Sequence, residues 1–122
     1  MRVDRPFDPI RPGEIDNFSF DFTPDIGTSF ISSTSWVCTY TPKGTSTDSS
    51  PQARVMSTTF LTTIRRRLSD GSLEILTGNF SVSEFGNAPT SAVGGTYLVE
   101  ATAVLGDGRV LKLSSIIPCV GA

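Results

Sequence analysis

Three consecutive arginines, Arg65, Arg66 and Arg67, form the densest group of binding side chains in this 122-residue sequence. Guanidinium groups bind carboxylates and phosphates in a bidentate manner, so the run could contact an acidic protein surface or a nucleic acid. Alternatively, arginines on an edge strand keep that strand soluble and discourage it from pairing with other chains. Neighbouring residues of a strand point to opposite faces, so the three arginines cannot line one groove, and nucleic acid is the least favoured interpretation.

The other residues capable of chemistry do not form a catalytic or metal-binding pattern. The chain has no histidine, which removes the commonest general base and the commonest zinc ligand. Asp16, Asp21 and Asp25 lack the alternating spacing of a calcium loop, and aspartate is an ordinary residue of turns. Serine and threonine are abundant, but no base is present to activate a hydroxyl. The sequence therefore predicts a protein that is not an enzyme and needs neither a cofactor nor a metal.

Cys38 and Cys119 are the two cysteines of the chain. They are too few for a disulfide scaffold and too far apart in sequence for a zinc-binding motif. The favoured interpretation is a pair of buried thiols, as expected for a protein made in a reducing compartment. A disulfide between strands near the two chain ends is the alternative that the sequence leaves open.

Charge and hydropathy limit the kinds of partner. The net charge is −2 and the pI is about 4.9, which gives no general attraction to nucleic acid or to an anionic membrane. The apolar stretches are too short to span a bilayer. Residues 1–9 lack the apolar segment of a secretory signal, so we expect synthesis in the cytoplasm.

The end of the chain has the strongest structural pattern. Two β-prone segments, residues 94–105 and 109–119, are separated by Gly106-Asp107-Gly108. Glycine and aspartate supply the positive-φ positions that tight hairpin turns need. Alternation places a mainly apolar set on one face of the first strand: Tyr97, Val99, Ala101, Ala103 and Leu105. Because the other face also has apolar residues, we expect this hairpin at the centre of a β-sandwich.

Two further strands are predicted near the start of the chain. Residues 17–22 alternate three phenylalanines with polar residues, so the phenylalanines should share one buried face. Residues 29–41 form the next β-prone segment. Its alternation places Phe30, Trp36 and Cys38 on the same face, and we expect Trp36 and Cys38 to point into the core.

A second hairpin is predicted in the middle of the chain. Residues 53–64 are β-prone and continue through the arginines to Leu68, and an Asp70-Gly71 turn then leads into residues 73–83. With about seven strands and no helical periodicity, the chain is predicted to be all-β. The pattern favours an immunoglobulin-like antiparallel β-sandwich over residues 17–122.

Residues 1–16 are predicted to be an extended N-terminal arm. Prolines at positions 6, 9 and 12 remove backbone donors and prevent a helix. Charges of both signs alternate along the arm, so it either packs on its own domain, reaches a neighbouring chain, or frays. Together with the three arginines, three arm residues are the candidates for docking a partner: Arg5, Phe7 and Arg11.

Several short motifs occur together along the chain. They are Phe18-Ser19-Phe20-Asp21-Phe22, Ile31-Ser32-Ser33-Thr34-Ser35-Trp36, Gly94-Gly95-Thr96-Tyr97, Ala101-Thr102-Ala103, Asp107-Gly108-Arg109 and Pro118-Cys119. Preceded by a proline-containing arm, this combination resembles a family of short virion proteins of tailed phages. The arginine-bearing hairpin is longer and more charged than the pattern of that family.

The resemblance implies a non-enzymatic structural component of a tailed-bacteriophage particle with an immunoglobulin-like fold. Fiber or tail adaptors, neck or collar proteins and capsid-associated proteins are the types it suggests. Such a protein would be made in the host cytoplasm and reside in the virion. Its partners would be other virion proteins, and several copies would stand in a symmetric ring or at capsid axes. The alternative is a receptor- or carbohydrate-binding module of a phage fiber.

Overall fold

The computed structural model describes residues 2–3 and 7–121, without the side chains of Arg2, Val3 and Arg66. Its elements in chain order are β1 (Arg2–Val3), β2 (Ile15–Asp21), the one-turn α1 (Thr23–Ile26), β3 (Ile31–Thr41), β4 (Val55–Arg67), β5 (Leu73–Gly86), β6 (Thr96–Leu105) and β7 (Val110–Pro118). Short 3-10 turns at Pro51–Arg54 and Thr90–Ala92 precede β4 and β6. The predicted all-β class is confirmed for the described part of the chain.

The strands form two sheets that pack face to face. One sheet has the order β1-β7-β6-β3 and the other has the order β2-β5-β4. The short β1 runs parallel to β7, and every other pair in the two sheets is antiparallel. One hydrophobic core lies between the inner faces, so the molecule is a β-sandwich.

The terminal hairpin lies at the centre of its sheet, as predicted. β6 has β7 on one side and β3 on the other. The predicted inner face of β6 is buried along its whole length: Tyr97, Val99, Ala101, Ala103 and Leu105. The tight turn is closed by backbone hydrogen bonds, in which Leu105 N donates to Arg109 O and Gly108 N donates to Leu105 O. Strand alternation and turn chemistry therefore predicted this element correctly.

Aromatic rings and one serine join the two sheets. Trp36 of β3 and Phe20 of β2 are both buried, and their ring centroids lie 5.0 Å apart in an edge-on arrangement. The Trp36 Nε1–H donates to Ser81 Oγ of β5 at 2.7 Å, deep inside the sandwich. The hydroxyl of Thr34 also hydrogen-bonds Ser81 Oγ. The predicted burial of Trp36 is confirmed, and the partner of its polar atom comes from the opposite sheet.

The predicted alternation of the second strand is wrong at its start. Ile31 is buried, whereas Phe30 is 61% exposed and its ring lies against Gly106. The pairing of β3 with β6 shifts between Ile31 and Ser33, which inserts one extra residue on β3. A bulge of this kind reverses the inward and outward faces on its two sides, so Phe30 does not share a face with Trp36.

The described part of the arm, residues 7–14, packs on its own domain. The Phe7 N–H donates to Ile116 O at 3.0 Å, and the Ile10 N–H donates to Pro118 O at 2.9 Å. Ile10 is completely buried. The Phe7 ring lies 5.0 Å from the ring of Phe20, centroid to centroid. Of the three behaviours that the sequence left open, packing on the same chain is the one observed for these residues.

Cys38 and Cys119 are both buried, and they are not bridged. Cys38 stands opposite Val99 on one side of β6, whereas the Cys119 N–H donates to Gly95 O on the other side. The two residues are thus separated by the width of two strand spacings and by four residues along β6. Disulfide geometry needs Cα atoms within about 7 Å, so these thiols cannot pair in this fold.

Candidate docking surface

The hairpin formed by β4 and β5 extends well beyond the rest of its sheet. β2 pairs with β5 only over residues 80–86, so residues 62–79 form a two-stranded ribbon whose strands pair only with each other among the described residues. Every side chain described in the ribbon is at least partly exposed. The base of the ribbon contacts α1, where the Phe22 N–H donates to Asn79 O at 2.9 Å. Beyond that contact the ribbon projects from the sandwich.

Local sequence determines the tip of the ribbon. The Leu68 N–H donates to Ser72 O at 2.9 Å, and Gly71 adopts a positive φ of 87°. Asp70 Oδ1 accepts hydrogen bonds from the hydroxyl and the backbone N–H of Ser72, at 2.6 and 2.9 Å. These hydrogen bonds lower the pKa of the Asp70 carboxyl. The predicted Asp-Gly turn is thus present, and it holds the two strands in register.

One face of the ribbon combines arginines with exposed apolar side chains. Arg65 stands opposite Ile75, and Arg67 stands opposite Leu73. Ile75 is 66% exposed and Leu73 is 56% exposed. We call these four residues the Arg-apolar face. Arg65 makes no hydrogen bond or ion pair with the described part of the chain, whereas Arg67 Nη1 donates to Gly71 O at 3.3 Å.

This combination of residues suits a protein interface. A two-stranded hairpin without a third strand or a covering layer has little stability in water. Burial of exposed leucine and isoleucine side chains by a partner would contribute about 1.5–3 kcal/mol each. Arginine is enriched at protein interfaces because its planar group packs against apolar surface and hydrogen-bonds carboxylates at the same time.

The structure separates the predicted docking residues into two groups. Arg65 and Arg67 belong to the Arg-apolar face, and Arg66 lies between them opposite Glu74, with its side chain outside the described atoms. Arg11 is an exposed residue of the arm, near the end of β5 that lies opposite the ribbon.

The remaining two candidates also belong to the arm. Phe7 is half-buried, and its ring lies 5.1 Å from that of Phe18. Arg5 lies outside the described residues. The structure therefore brings the ribbon arginines together and places the described arm residues elsewhere.

Sequence analysis missed the exposure of Leu73 and Ile75. The alternation Leu73-Glu74-Ile75 is typical of a strand with one buried face, and the pattern alone assigns these residues to a core. Their exposure follows from the difference in length between β2 and β5, which no local pattern contains.

A buried polar cluster lies away from the ribbon. The Tyr97 hydroxyl donates to Asp48 Oδ2 at 2.5 Å, and Arg54 Nε lies 3.4 Å from the same oxygen. The Asp48 side chain is only 3% exposed. Burial, and then the hydrogen bond to Asp48, raise the pKa of Tyr97. Because Asp48 belongs to the polar loop between β3 and β4, the cluster fastens that loop to the sandwich.

The remaining chemistry-bearing groups are dispersed. Among the described residues, no three histidine, cysteine, aspartate or glutamate side chains lie together as metal ligands would. No helix in the described part of the chain is long and apolar enough to cross a membrane. Of the phenylalanines, Phe30 and Phe60 are the exposed ones in the described structure, and they belong to different sheets.

Comparison with known proteins identifies no relative. No family model matches the chain, and neither the curated proteins nor the solved structures contain a match. These comparisons add no support to the resemblance to phage virion proteins.

Proposed function

We propose that this chain is a non-enzymatic structural component of a tailed-bacteriophage particle, and that the ribbon docks it on another protein of a symmetric assembly. The observation that carries the docking proposal is the ribbon itself, residues 62–79, with its exposed Arg-apolar face. The phage assignment is supported by the combination of short sequence motifs. A neck, tail, fiber or capsid protein would be the partner, in the virion.

The composition of the ribbon defines the chemistry of that partner. The exposed Leu73 and Ile75 would pack against an apolar surface of the partner. Arg65 and Arg67 would bind carboxylates that lie next to that surface. The chain as a whole has a net charge of −2, so the ribbon is a basic projection from an acidic protein. Complementary charge would orient the partner and suppress wrong contacts.

We also infer that the sandwich is immunoglobulin-like, with about seven strands. The order β3-β6-β7 in one sheet and β2-β5-β4 in the other corresponds to the C-F-G and B-E-D arrangements of that fold. Trp36 on β3 occupies the strand that bears the core tryptophan of immunoglobulin domains. Tyr97, near the start of β6 with its hydroxyl bonded to Asp48, resembles a tyrosine corner in which a side chain replaces the backbone acceptor.

The alternative function, a receptor- or carbohydrate-binding module, depends on exposed aromatic rings. Sugar binding needs rings grouped on one surface, whereas Phe30 lies against Gly106 and Phe60 belongs to β4 of the other sheet. Most of the other rings fill the core, among them Phe20, Trp36 and Tyr97. No grouping of exposed rings in the described residues favours this alternative, so the docking function is preferred.

A shortened ribbon tests the proposal. In this variant, residues 64–76 are replaced by Asn-Gly, so that the paired Thr63 and Thr77 close a two-residue hairpin. We expect a folded, soluble protein, because the ribbon contributes no buried side chain to the described core. The variant should be lost from particles of the encoding phage, as measured by mass spectrometry of purified particles.

A matched control removes exposed apolar groups elsewhere. Val37→Thr combined with Val110→Thr changes two exposed valines of the other sheet and should leave incorporation unchanged. Normal incorporation of the shortened variant would overturn the docking role of the ribbon. Absence of the wild-type chain from particles, or binding of host polysaccharide by the isolated chain, would overturn the structural assignment in favour of the alternative.

A further inference from the structure

The three-stranded sheet has two edges that are open for strand addition. β2 forms one edge, and β4 forms the other. In the described residues, no strand pairs with the outer side of β2 or with the outer side of β4 in the ribbon. An edge strand presents a row of unpaired backbone N–H and C=O groups, which is a template for pairing with another chain.

The two edges have opposite charges at the same spacing. Arg65 and Arg67 are two residues apart on β4, and Glu14 and Asp16 are two residues apart at the start of β2. All four side chains are exposed. In an extended chain two residues span about 7 Å, so both arginines can face both carboxylates when the edges are aligned.

Each edge also has an isoleucine beside its charged residues. Ile15, between Glu14 and Asp16, is 54% exposed at the first position of β2. Ile64 precedes Arg65 on β4 and is half-buried. Because alternate residues of a strand share a face, alignment of the charged rows on one face places Ile15 on the other face, directly opposite position 66 and diagonal to Ile64.

The start of β2 is held firmly in position before any partner arrives. Glu14 O accepts a hydrogen bond from the Asn87 N–H at 2.9 Å, and the Gly13 N–H donates to Ala88 O at 3.1 Å. Gly86 stands so close to Glu14 O that no side chain would fit between them. An edge held in this way loses little conformational entropy on pairing.

We propose that the ribbon edge of β4 in one copy of this chain pairs with the β2 edge of a second copy, so that the three-stranded sheet continues from copy to copy. The proposal rests on the docking function of the ribbon and names a second copy as the partner. Arg65 and Arg67 of one copy then form cross-strand ion pairs with Glu14 and Asp16 of the next. The contact joins unlike edges, so each copy binds two others, in a ring if the rotation closes.

The same charges exclude the pairing of like edges. Two ribbons placed edge to edge would oppose arginine rows, and two β2 edges would oppose carboxylate rows. Like charges directly opposite each other on paired strands are destabilising. The arginines that discourage non-specific aggregation of the ribbon therefore select the acidic edge as its partner.

A charge exchange in the full chain tests this contact. One variant has Arg65→Glu with Arg67→Glu, and the other has Glu14→Lys with Asp16→Lys. Self-association is measured by sedimentation velocity and native mass spectrometry at low salt. We expect the wild type to form oligomers, and we expect each variant alone to associate about tenfold to a hundredfold more weakly, because two attractive pairs become repulsive.

Mixing restores the complementary charges. An equimolar mixture of the two variants should regain oligomers in which the variants alternate, and a single chain with all four substitutions should assemble alone. Lys43→Glu combined with Lys112→Glu lowers the net charge by as much as the arginine variant does, at two exposed positions off both edges. This control should associate like the wild type, as monitored under the same conditions.

The outcomes separate this inference from the proposed function. A wild type that stays monomeric at every concentration, or oligomers that survive both variants, would overturn the pairing of the two edges. If the monomeric wild type still enters particles while Arg65→Glu with Arg67→Glu does not, the ribbon docks on a different virion protein. If that variant enters particles normally, the docking function of the Arg-apolar face fails as well.

Discussion

At the residue scale, Ser81 is a buried polar residue of one sheet that hydrogen-bonds two residues of the other sheet. Its hydroxyl oxygen accepts the Trp36 Nε1–H at 2.7 Å, and it also meets the Thr34 hydroxyl. Ser81 is completely buried, and Trp36 is nearly so. A buried indole N–H without an acceptor pays the full cost of lost hydration, so this serine binds the two sheets together specifically.

Ser81→Ala should therefore lower the free energy of unfolding by about 1–3 kcal/mol, because it leaves the Trp36 N–H unsatisfied. Ser83→Ala is the matched control on the same strand and face. The Ser83 hydroxyl hydrogen-bonds the hydroxyl of Thr58, and Thr58 is only half-buried and can turn to solvent. Ser83→Ala should therefore lower the free energy of unfolding by less than Ser81→Ala does. Urea denaturation followed by Trp36 fluorescence measures both. Equal losses would show that the indole hydrogen bond has no special weight.

Also at the residue scale, Asp48 shows what a composition-based analysis overlooks. The sequence places it in a polar loop rich in serine and threonine, with no sign of burial. In the fold its carboxylate accepts a hydrogen bond from the Tyr97 hydroxyl and forms an ion pair with Arg54, and its side chain is only 3% exposed. Nothing in the local sequence indicates this, because Tyr97 lies 49 residues away along the chain.

At the element scale, the arm is part of the sandwich over its described residues. Ile10 forms an isolated parallel bridge to Cys119, and its side chain is completely buried. Phe7 covers Phe18 and Phe20 at the open side between the sheets. The predicted division into an arm at residues 1–16 and a domain at 17–122 follows the prolines in sequence, whereas the packing begins within the arm and β2 begins at Ile15.

Ile10→Ala should thus destabilise the fold by about 2–4 kcal/mol, since it removes a large buried side chain and leaves a cavity. Ile15→Ala, an equal change at an exposed position, should alter stability by less than about 1 kcal/mol. Thermal and urea unfolding of the two variants provide the comparison. An Ile10→Ala protein as stable as Ile15→Ala would mean that the arm does not close the core.

At the scale of the whole molecule, two buried groups, the Cys38 thiol and the Tyr97 hydroxyl, make the free energy of unfolding depend on pH in the alkaline range. Burial raises the pKa of the Cys38 thiol from 9.0 to about 12. Burial and the Asp48 hydrogen bond raise the pKa of Tyr97 as well. Above the ordinary thiol pKa, the unfolded chain releases protons that the folded chain retains. The folded state then loses stability as the pH rises.

The free energy of unfolding should accordingly fall between pH 9.0 and about 12, with little contribution from this thiol below that window. Cys38→Ala should reduce the slope, because one of the retained protons is gone. Urea denaturation at a series of pH values measures this slope for the wild type and for Cys38→Ala. A wild-type slope that equals that of Cys38→Ala throughout the window would contradict the burial argument.

Local patterns by themselves determined the class of this protein. The alternation of β6, the phenylalanines of β2 and the two hairpin turns were all predictable, because side-chain period and turn conformation depend on residues close in sequence. The burial of Trp36 and Cys38 followed from the same alternation. The start of β3 escaped prediction because its bulge depends on the pairing with β6.

Only the tertiary structure decided which surfaces are left open. The sequence identified the arginine-bearing hairpin, but its exposure depends on β2 ending where β5 continues, which is a property of two distant segments in register. The same holds for the burial of Ile10 and for the separation of Cys38 from Cys119. Pairing and packing of remote strands are non-local, so they convert a predictable hairpin into a projecting ribbon and a candidate docking surface.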